Sequence, residues 1–208
     1  MWNAVAKGLF LASIALFAAG CASVNPVVKI GLVAPFEGRH RAIGYDAIYS
    51  ARMAVRQMNE AGGIGGYRVA LVALDDRGDE QLAQQAAASL AIDPAVVAVV
   101  GHYLPETTDV ASPIYTGNEL ALLEVGTTPF LTVDPLSLPA EFREAYEAVT
   151  PFDETAGPFA GPTYDAFGLL WAALAVAEET TGTINRSSVQ ESLSGLEYDG
   201  LTGEVYRP

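Results

Sequence analysis

Arg39-His40-Arg41, Asp75-Asp76, His102 and Glu124 are the side chains whose types and positions could do chemistry in this sequence. The basic cluster stands in an acidic chain and suits contact with an anionic ligand, or else is a solvated loop. Asp75 and Asp76 are candidate catalytic carboxylates, metal ligands or strand-end caps. No other acidic cluster follows them at ligand spacing, which favours caps. His102 has the chemistry of a general base, but a structural histidine with satisfied nitrogens is the better reading. Glu124 ends an apolar run and suits either a ligand ammonium or plain exposure at a sheet edge. His40 and His102 are the two histidines and Cys21 is the one cysteine, so zinc has few candidate ligands. No metal or cofactor is implied. There is no Gly-x-Ser-x-Gly elbow and no phosphate-binding P-loop. Gly62-Gly63-Ile64-Gly65-Gly66 is glycine-rich but follows a helix, the wrong side for cradling phosphate.

The elements that must carry these groups alternate. Val27–Ala34 is an apolar, β-branched run of strand length. A helical stripe follows, with Gly44, Ile48, Ala51, Val55 and Met58 on one face and Ala47 and Ala54 beside it. Glycine pairs at 62–63 and 65–66 stop that helix. Val69–Leu74 is a second strand, ending in Asp75-Asp76. Strand, helix, strand of this length is a βαβ unit with a parallel pair and a right-handed crossover. Asp79–Ala91 is a second helix with Asp79 as its N-cap. Ala95–Val100 is a third strand, apolar throughout and so buried on both faces. Pro105 and Glu106 suit the first turn of a third helix, which Pro113 kinks or ends. Leu120–Val125 is a fourth strand.

Alternation of this kind predicts an α/β fold, a doubly wound, mainly parallel sheet in three layers. In such sheets a ligand crevice lies beyond the carboxyl ends of the strands. Those ends are 35–43, 75–78, 101–107 and 124–129.

Beyond 129, Phe130–Asp134 reads as another short strand and Pro139–Ala148 as a helix. Pro158–Glu179 holds an apolar helix with Trp171 in the core. Its apolar centre is too short to cross a bilayer. Ser187 or Ser188 caps a helix running to Ser194, and a turn with a final strand follows. These later elements are expected to join the same sheet.

Residues 1–20 read as a signal peptide, with Lys7 in the positive segment and an apolar stretch from Gly8 to Ala19. Ala18-Ala19-Gly20-Cys21 resembles a lipobox, which makes Cys21 the expected lipidation site, followed by a short tether to residue 26. The mature chain is then exported and held at a membrane by its lipid alone. Without Lys7, 10 of the 11 basic side chains remain against 25 acidic ones, a net charge of −15. That balance argues against nucleic acid as a partner.

The ordered set IGLVAPFEG, GGIGG and DD in residues 30–76 resembles the leucine/isoleucine/valine-binding protein family, the extracytoplasmic solute-binding receptors of ABC importers. GHYLPETTDVASPIY (101–115), EVGTT (124–128), LPAEFREAYEA (138–148), PFAGPTYDA (158–166) and YDGLTGEVY (198–206) match its later motifs in order. The resemblance implies the type I periplasmic-binding-protein fold and a small-molecule ligand of the amino-acid class. By position, Thr128 stands where the family has its ligand-binding threonine, and Gly126 where a backbone carbonyl meets the ligand. Two positions depart. Pro105 replaces a ligand-binding serine, removing a hydroxyl and an N–H donor, and Ile43 replaces a tyrosine. The ligand-side set implied is Arg39, Ile43, Tyr103, Leu104, Pro105, Thr107, Glu124, Gly126, Thr127 and Thr128.

Relatives carry a further lobe's length between the Thr-Thr segment and the later motifs. The expectation is one lobe over 27–208, with 27–129 its first part and 130–208 the part that returns from a missing second lobe. Three functions follow in order. The first is a solute-binding component of an ABC importer, with a permease as partner and no catalytic activity. The second is a ligand-sensing or partner-binding lobe without transport; a cleft face that exposes Ile43, Tyr103 and Leu104 favours self-association or a partner. The third is a small exported hydrolase using His102 with Asp75 or Asp76, for which no nucleophile is placed.

Overall fold

A computed structural model describes residues 25–207. The expected signal peptide, the Cys21 lipidation site and the start of the tether lie outside the described residues. The chain runs β1 (Val27–Ala34), α1 (Arg41–Glu60), β2 (Arg68–Asp75), α2 (Glu80–Ala91), β3 (Val96–Gly101), α3 (Pro105–Thr116) and β4 (Ala121–Leu123). A 3-10 turn (Pro135–Ser137), α4 (Ala140–Glu147), α5 (Ala160–Thr181), α6 (Arg186–Leu193) and the short strands β5 (Tyr198–Asp199) and β6 (Val205–Tyr206) follow.

The four-stranded sheet has the order β2-β1-β3-β4 and every pair is parallel. β1 and β2 pair without a break from Val27↔Arg68 to Ala34↔Asp75. Side-chain alternation on β1 divides the molecule into layers. Val28, Ile30 and Leu32 face α1 and α5, whereas Val33 faces α2 and α3 with Ala87, Leu90 and Ala111. β3 interrupts that alternation, because Val97 and Ala98 both belong to the α1/α5 side. The cause is a register shift against Lys29/Ile30. An irregularity there restores Val99 to the α2/α3 side and Val100 to the other. β3 is the most buried strand, with Val96, Val97, Ala98, Val99 and Val100 all at 2% exposure or less. Each buried valine contributes about 2 kcal/mol, an upper figure because the unfolded chain hides some of that surface.

α1 has the predicted stripe, with Gly44, Ala47, Ile48, Ala51, Ala54 and Val55 buried. Gly44 is there for closeness: a β-carbon would overlap the Pro35 carbonyl and sit 2.8 Å from Phe36 Cα. α5 packs its small residues (Ala166, Ala173, Ala177) against the sheet layer and ends at Gly182 in the left-handed region.

Four expectations need correction. Phe130–Asp134 is not a strand; only Phe130 forms a parallel bridge, to Val125. Phe130 is buried because its ring stacks on Tyr206 at 4.4 Å between centroids, not because a ladder runs there. The final strand does not join the main sheet. It closes a two-stranded antiparallel hairpin with Tyr198–Asp199, which Asp165 anchors by accepting the Leu201 N–H at 2.8 Å, the Thr202 hydroxyl at 2.6 Å and the Tyr206 hydroxyl at 2.9 Å. α6 is capped by Asn185, with Ser188 reciprocating at the third position in a capping box. Trp171 is half-buried against the core rather than within it.

Candidate functional site

The order β2-β1-β3-β4 fixes where a crevice opens. From β1 the chain moves to one side for β2, then crosses to the other for β3. The loops after β1 and β3 therefore diverge, and their divergence leaves a gap at the carboxyl edge. Pro35–Arg39, Asp75–Gly78, Gly101–Leu104 and Glu124–Thr128 all emerge on that edge.

Beneath the edge lies a closed polar brace. Asp76 and His102 have side chains at 0% exposure, 2.8 Å apart from Oδ2 to Nδ1. A carboxylate only accepts, so Nδ1 donates. Tyr115 lies 3.1 Å from Nε2. Burial, and after it the Asp76 charge, push the Tyr115 phenol above its ordinary range. It stays protonated and donates to Nε2. The other Asp76 oxygen accepts the Gly78 N–H at 2.9 Å. The brace ties the loop after β2 to the loop after β3 and satisfies every polar atom it buries. Asp75 performs a neighbouring task, accepting the Phe36 N–H at 2.8 Å and the Arg77 N–H at 3.0 Å. The reading of both aspartates as strand-end caps holds. His102 and Asp76 are closed to solvent, which leaves the hydrolase reading without an open base.

The ten expected ligand-side residues divide by access. Arg39 is exposed, donates from Nε to His40 Nε2 at 3.0 Å and leaves its terminal nitrogens toward solvent. Ile43, Leu104, Glu124, Gly126 and Thr127 are half-buried, and Pro105 and Thr128 are exposed. Glu124 and Thr127 come together, with the Thr127 hydroxyl 3.5 Å from Glu124 Oε2. Tyr103 is a correction: it is 4% exposed and does not belong to an exposed cleft face. Its ring packs edge-on to Phe159 and its hydroxyl meets Thr163 Oγ1 at 3.0 Å, so it floors the crevice from below. Thr107 is also buried, donating to the Leu104 carbonyl at 3.0 Å within its own helix. At the start of α3, Leu104 supplies no side-chain cap and Pro105 no N–H. The helix end that would greet an anion thus offers fewer donors than its position allows.

Sequence reasoning passed over the residues that join the later segments to this frame. Asp46 on α1 accepts the N–H groups of Gly157 at 3.1 Å and Phe159 at 3.2 Å, at the entry to α5. Ser50 donates to the Ala160 carbonyl at 2.8 Å, and Tyr164 donates to Gln57 at 2.7 Å. Arg186 donates to the carbonyls of Val96, Asn118, Ala91 and Asp93 at 2.8–3.0 Å. The signals were weak but present: Asp46 and Ser50 lie beside the apolar stripe of α1, where a polar side chain needs a partner.

Fold and crevice together define an α/β lobe of the kind that holds small molecules at a strand-edge switch point. The model for the periplasmic binding protein family matches residues 27–134, and the chain belongs to that family. An amino acid binding protein of Pseudomonas aeruginosa is 32% identical over 101 residues, 49% of this chain and 27% of that protein. The Leu/Ile/Val-binding protein homolog 1 of Brucella abortus is 31% identical over 122 residues, 59% of this chain and 32% of that protein. The aligned part thus spans less than a third of either relative. The solved structure of the branched-chain amino acid transporter substrate binding protein LivJ from Streptococcus pneumoniae, in complex with isoleucine, superposes with a TM-score of 0.70 at 15% identity, covering 86% of this chain and 91% of that one. An ABC transporter substrate-binding protein from Desulfitobacterium hafniense, in complex with Leu, gives 0.69 at 14%, covering 87% and 92%. At such identities these likenesses establish the fold alone. The resemblance read from the motifs and the α/β fold class are both borne out.

Proposed function

We propose that this chain is an extracytoplasmic solute-binding component of an ABC importer, for branched-chain amino acids or related small molecules. The observation that carries the reading is the open edge at the β1/β3 switch point in a member of the periplasmic binding protein family. The groups open to a ligand there are Arg39, Ile43, Leu104, Pro105, Glu124, Thr127 and Thr128. Glu124 suits an ammonium, Arg39 a carboxylate and Ile43 an aliphatic side chain. On this reading they make a single wall, contributed by one lobe of a two-lobed design.

Two-lobed receptors close about a hinge and bury the ligand from both sides. A single wall leaves the ligand partly hydrated, and the missing hydrogen bonds cost about 1 kcal/mol each, more where charge is involved. The isolated chain should therefore bind leucine, isoleucine or valine at about millimolar strength. Titration calorimetry on wild type, Glu124→Gln and Thr128→Ala tests this. Weak binding lost in both variants supports the reading. Binding that neither variant changes overturns the site.

A second reading, a partner-binding lobe without transport, draws on Leu131 and Val205, 56% and 43% exposed on the rim of a hollow of about 340 Å3 beside Thr128. Sedimentation of the purified chain separates the two, since a stable dimer at micromolar concentration favours this one. Export and lipid anchoring rest on residues 1–21. Among the described residues no helix is long and apolar enough to cross a membrane. Cys21→Ser should release the protein from the membrane fraction; a variant that stays there removes the lipidation reading.

A further inference from the structure

α4 presents two faces. Phe142 and Tyr146 point inward to Leu138, Met53 and Ala160. Arg143 and Glu147 lie one turn apart on another face and line a cavity of about 310 Å3 with Pro135, Leu136, Thr155 and Ala156. No residue of this cavity belongs to the crevice edge.

The two charges do not pair. The ion pairs among the described residues are Lys29–Asp93, Arg77–Asp75 and Arg207–Glu197, and Asp76 bonds to His102. An arginine one turn before a glutamate is the poorer order for a helical pair, because each charge opposes the helix dipole. Arg143 Nε is buried and has no hydrogen-bond partner. A buried donor left without an acceptor is costly, and the structure elsewhere satisfies such groups. Leu136 on the same wall is 77% exposed, a large apolar side chain with no cover. The cavity thus combines an unused guanidinium, an unused carboxylate and an apolar wall, at the small end of ligand-pocket size.

We propose that this cavity is a second ligand site, which takes a small zwitterion with an aliphatic body, the chemistry of a free α-amino acid. The ligand carboxylate meets the Arg143 fork, which matches it in geometry. The ligand ammonium meets Glu147. The aliphatic part covers Leu136 against Pro135 and Ala156. A plain carboxylic acid fits less well, because its only charge would lie beside Glu147 without compensation.

Amide-resolved NMR titration of the full chain with leucine tests the site apart from the crevice. The signals of Leu136, Thr155 and Ala156 should shift. 4-Methylpentanoate, which is leucine without the ammonium, and leucine methyl ester, which lacks the carboxylate, should each need at least about tenfold more ligand for the same shift, since each forfeits one charged hydrogen bond. Arg143→Met and Glu147→Gln should abolish or weaken these shifts by a similar factor. Thr128→Ala should leave them intact while altering those of Glu124 and Thr127, so that failure at one site is not read as failure at the other. Shifts confined to the crevice, equal response to leucine and 4-methylpentanoate, or unchanged shifts in Glu147→Gln would each overturn the proposal. The two analogues act on the wild-type chain, so the test stands even where Arg143→Met fails to fold.

Discussion

Asp46 Oδ1 accepts the Gly157 N–H at 3.1 Å across 111 positions of sequence. With Phe159 on its other oxygen, this one carboxylate holds the entry of α5 against α1. The arrangement has an electrostatic cost. Burial raises the Asp46 pKa from 3.8 to about 6, although the two N–H bonds pull the other way. The folded state therefore holds this proton more tightly than the unfolded chain does. The stabilisation tied to the proton is fully present below pH 3.8 and lost as pH rises through about 6.

Asp46→Asn removes that dependence, keeping one acceptor for the two N–H groups. In urea unfolding, the stability advantage of wild type over Asp46→Asn should shrink by up to about 3 kcal/mol between roughly pH 4 and pH 7. An advantage that grows with pH would show that Asp46 is not the titrating group.

His102→Ala should be severely destabilising for a different reason. It strands the Asp76 carboxylate, 0% exposed, without its partner. Leaving a buried carboxylate without its hydrogen-bond donor costs about 3 kcal/mol, the upper end for a charged group, whereas Tyr115→Phe, which deletes one neutral donor, should cost about 1 kcal/mol. Equilibrium denaturation of both variants gives the ratio. Equal costs would mean that the Asp76–His102 bond contributes no more than the phenol.

Much of the frame was legible because burial on both faces leaves an unmistakable mark. Val96–Val100 could hardly be anything but a central strand, and Asp79 capped its helix as read, accepting the Leu82 N–H at 2.9 Å. Phe130–Asp134 misled because an apolar, β-branched run signals burial, not the kind of partner. Pro129 and Pro135 flank it without N–H donors, and what buries Phe130 is the Tyr206 ring, 76 positions away. The crevice edge was legible from the alternation of strands and helices alone, but access within it was not. Tyr103 and Thr107 follow the same strand as Leu104 and Pro105, yet contacts with Thr163 and the Leu104 carbonyl turn them inward. Arg186 carried no local signal, since its partners are backbone carbonyls.

Arg186 supplies the third prediction. Its guanidinium spans the carbonyls of Ala91 at the end of α2, Asp93 after it, Val96 on β3 and Asn118 after α3. Those carbonyls lie at helix ends or a strand start and have few other partners. A planar fork reaches several directions at once, which an ammonium on a flexible stem cannot do. Arg186→Met should cost about 3 kcal/mol, and Arg186→Lys should recover less than half of it. Thermal unfolding of the two variants decides. Full recovery by lysine would mean that charge alone, not the fork, holds the α2 and α3 ends together.

The fourth prediction concerns the start of α3 and rests on the proposed function. Pro105 is exposed at the first helical position, and Leu104 before it gives no side-chain cap. Proline fixes the backbone for a helix start but removes a donor. Pro105→Ala returns an N–H, and Pro105→Ser adds a hydroxyl beside it. If the ligand carboxylate lies at this helix end, each new hydrogen bond is worth about 1 kcal/mol, so leucine affinity should rise up to roughly fivefold for alanine and more for serine. Both variants should also lose about 0.5–1 kcal/mol of stability, because the unfolded chain regains the freedom that proline denied it. Calorimetric titration and thermal unfolding on the same samples separate the two effects. A stability loss with no gain in affinity for either variant would place the ligand away from α3 and leave Arg39, Ile43, Glu124, Thr127 and Thr128 as the contacts on that wall.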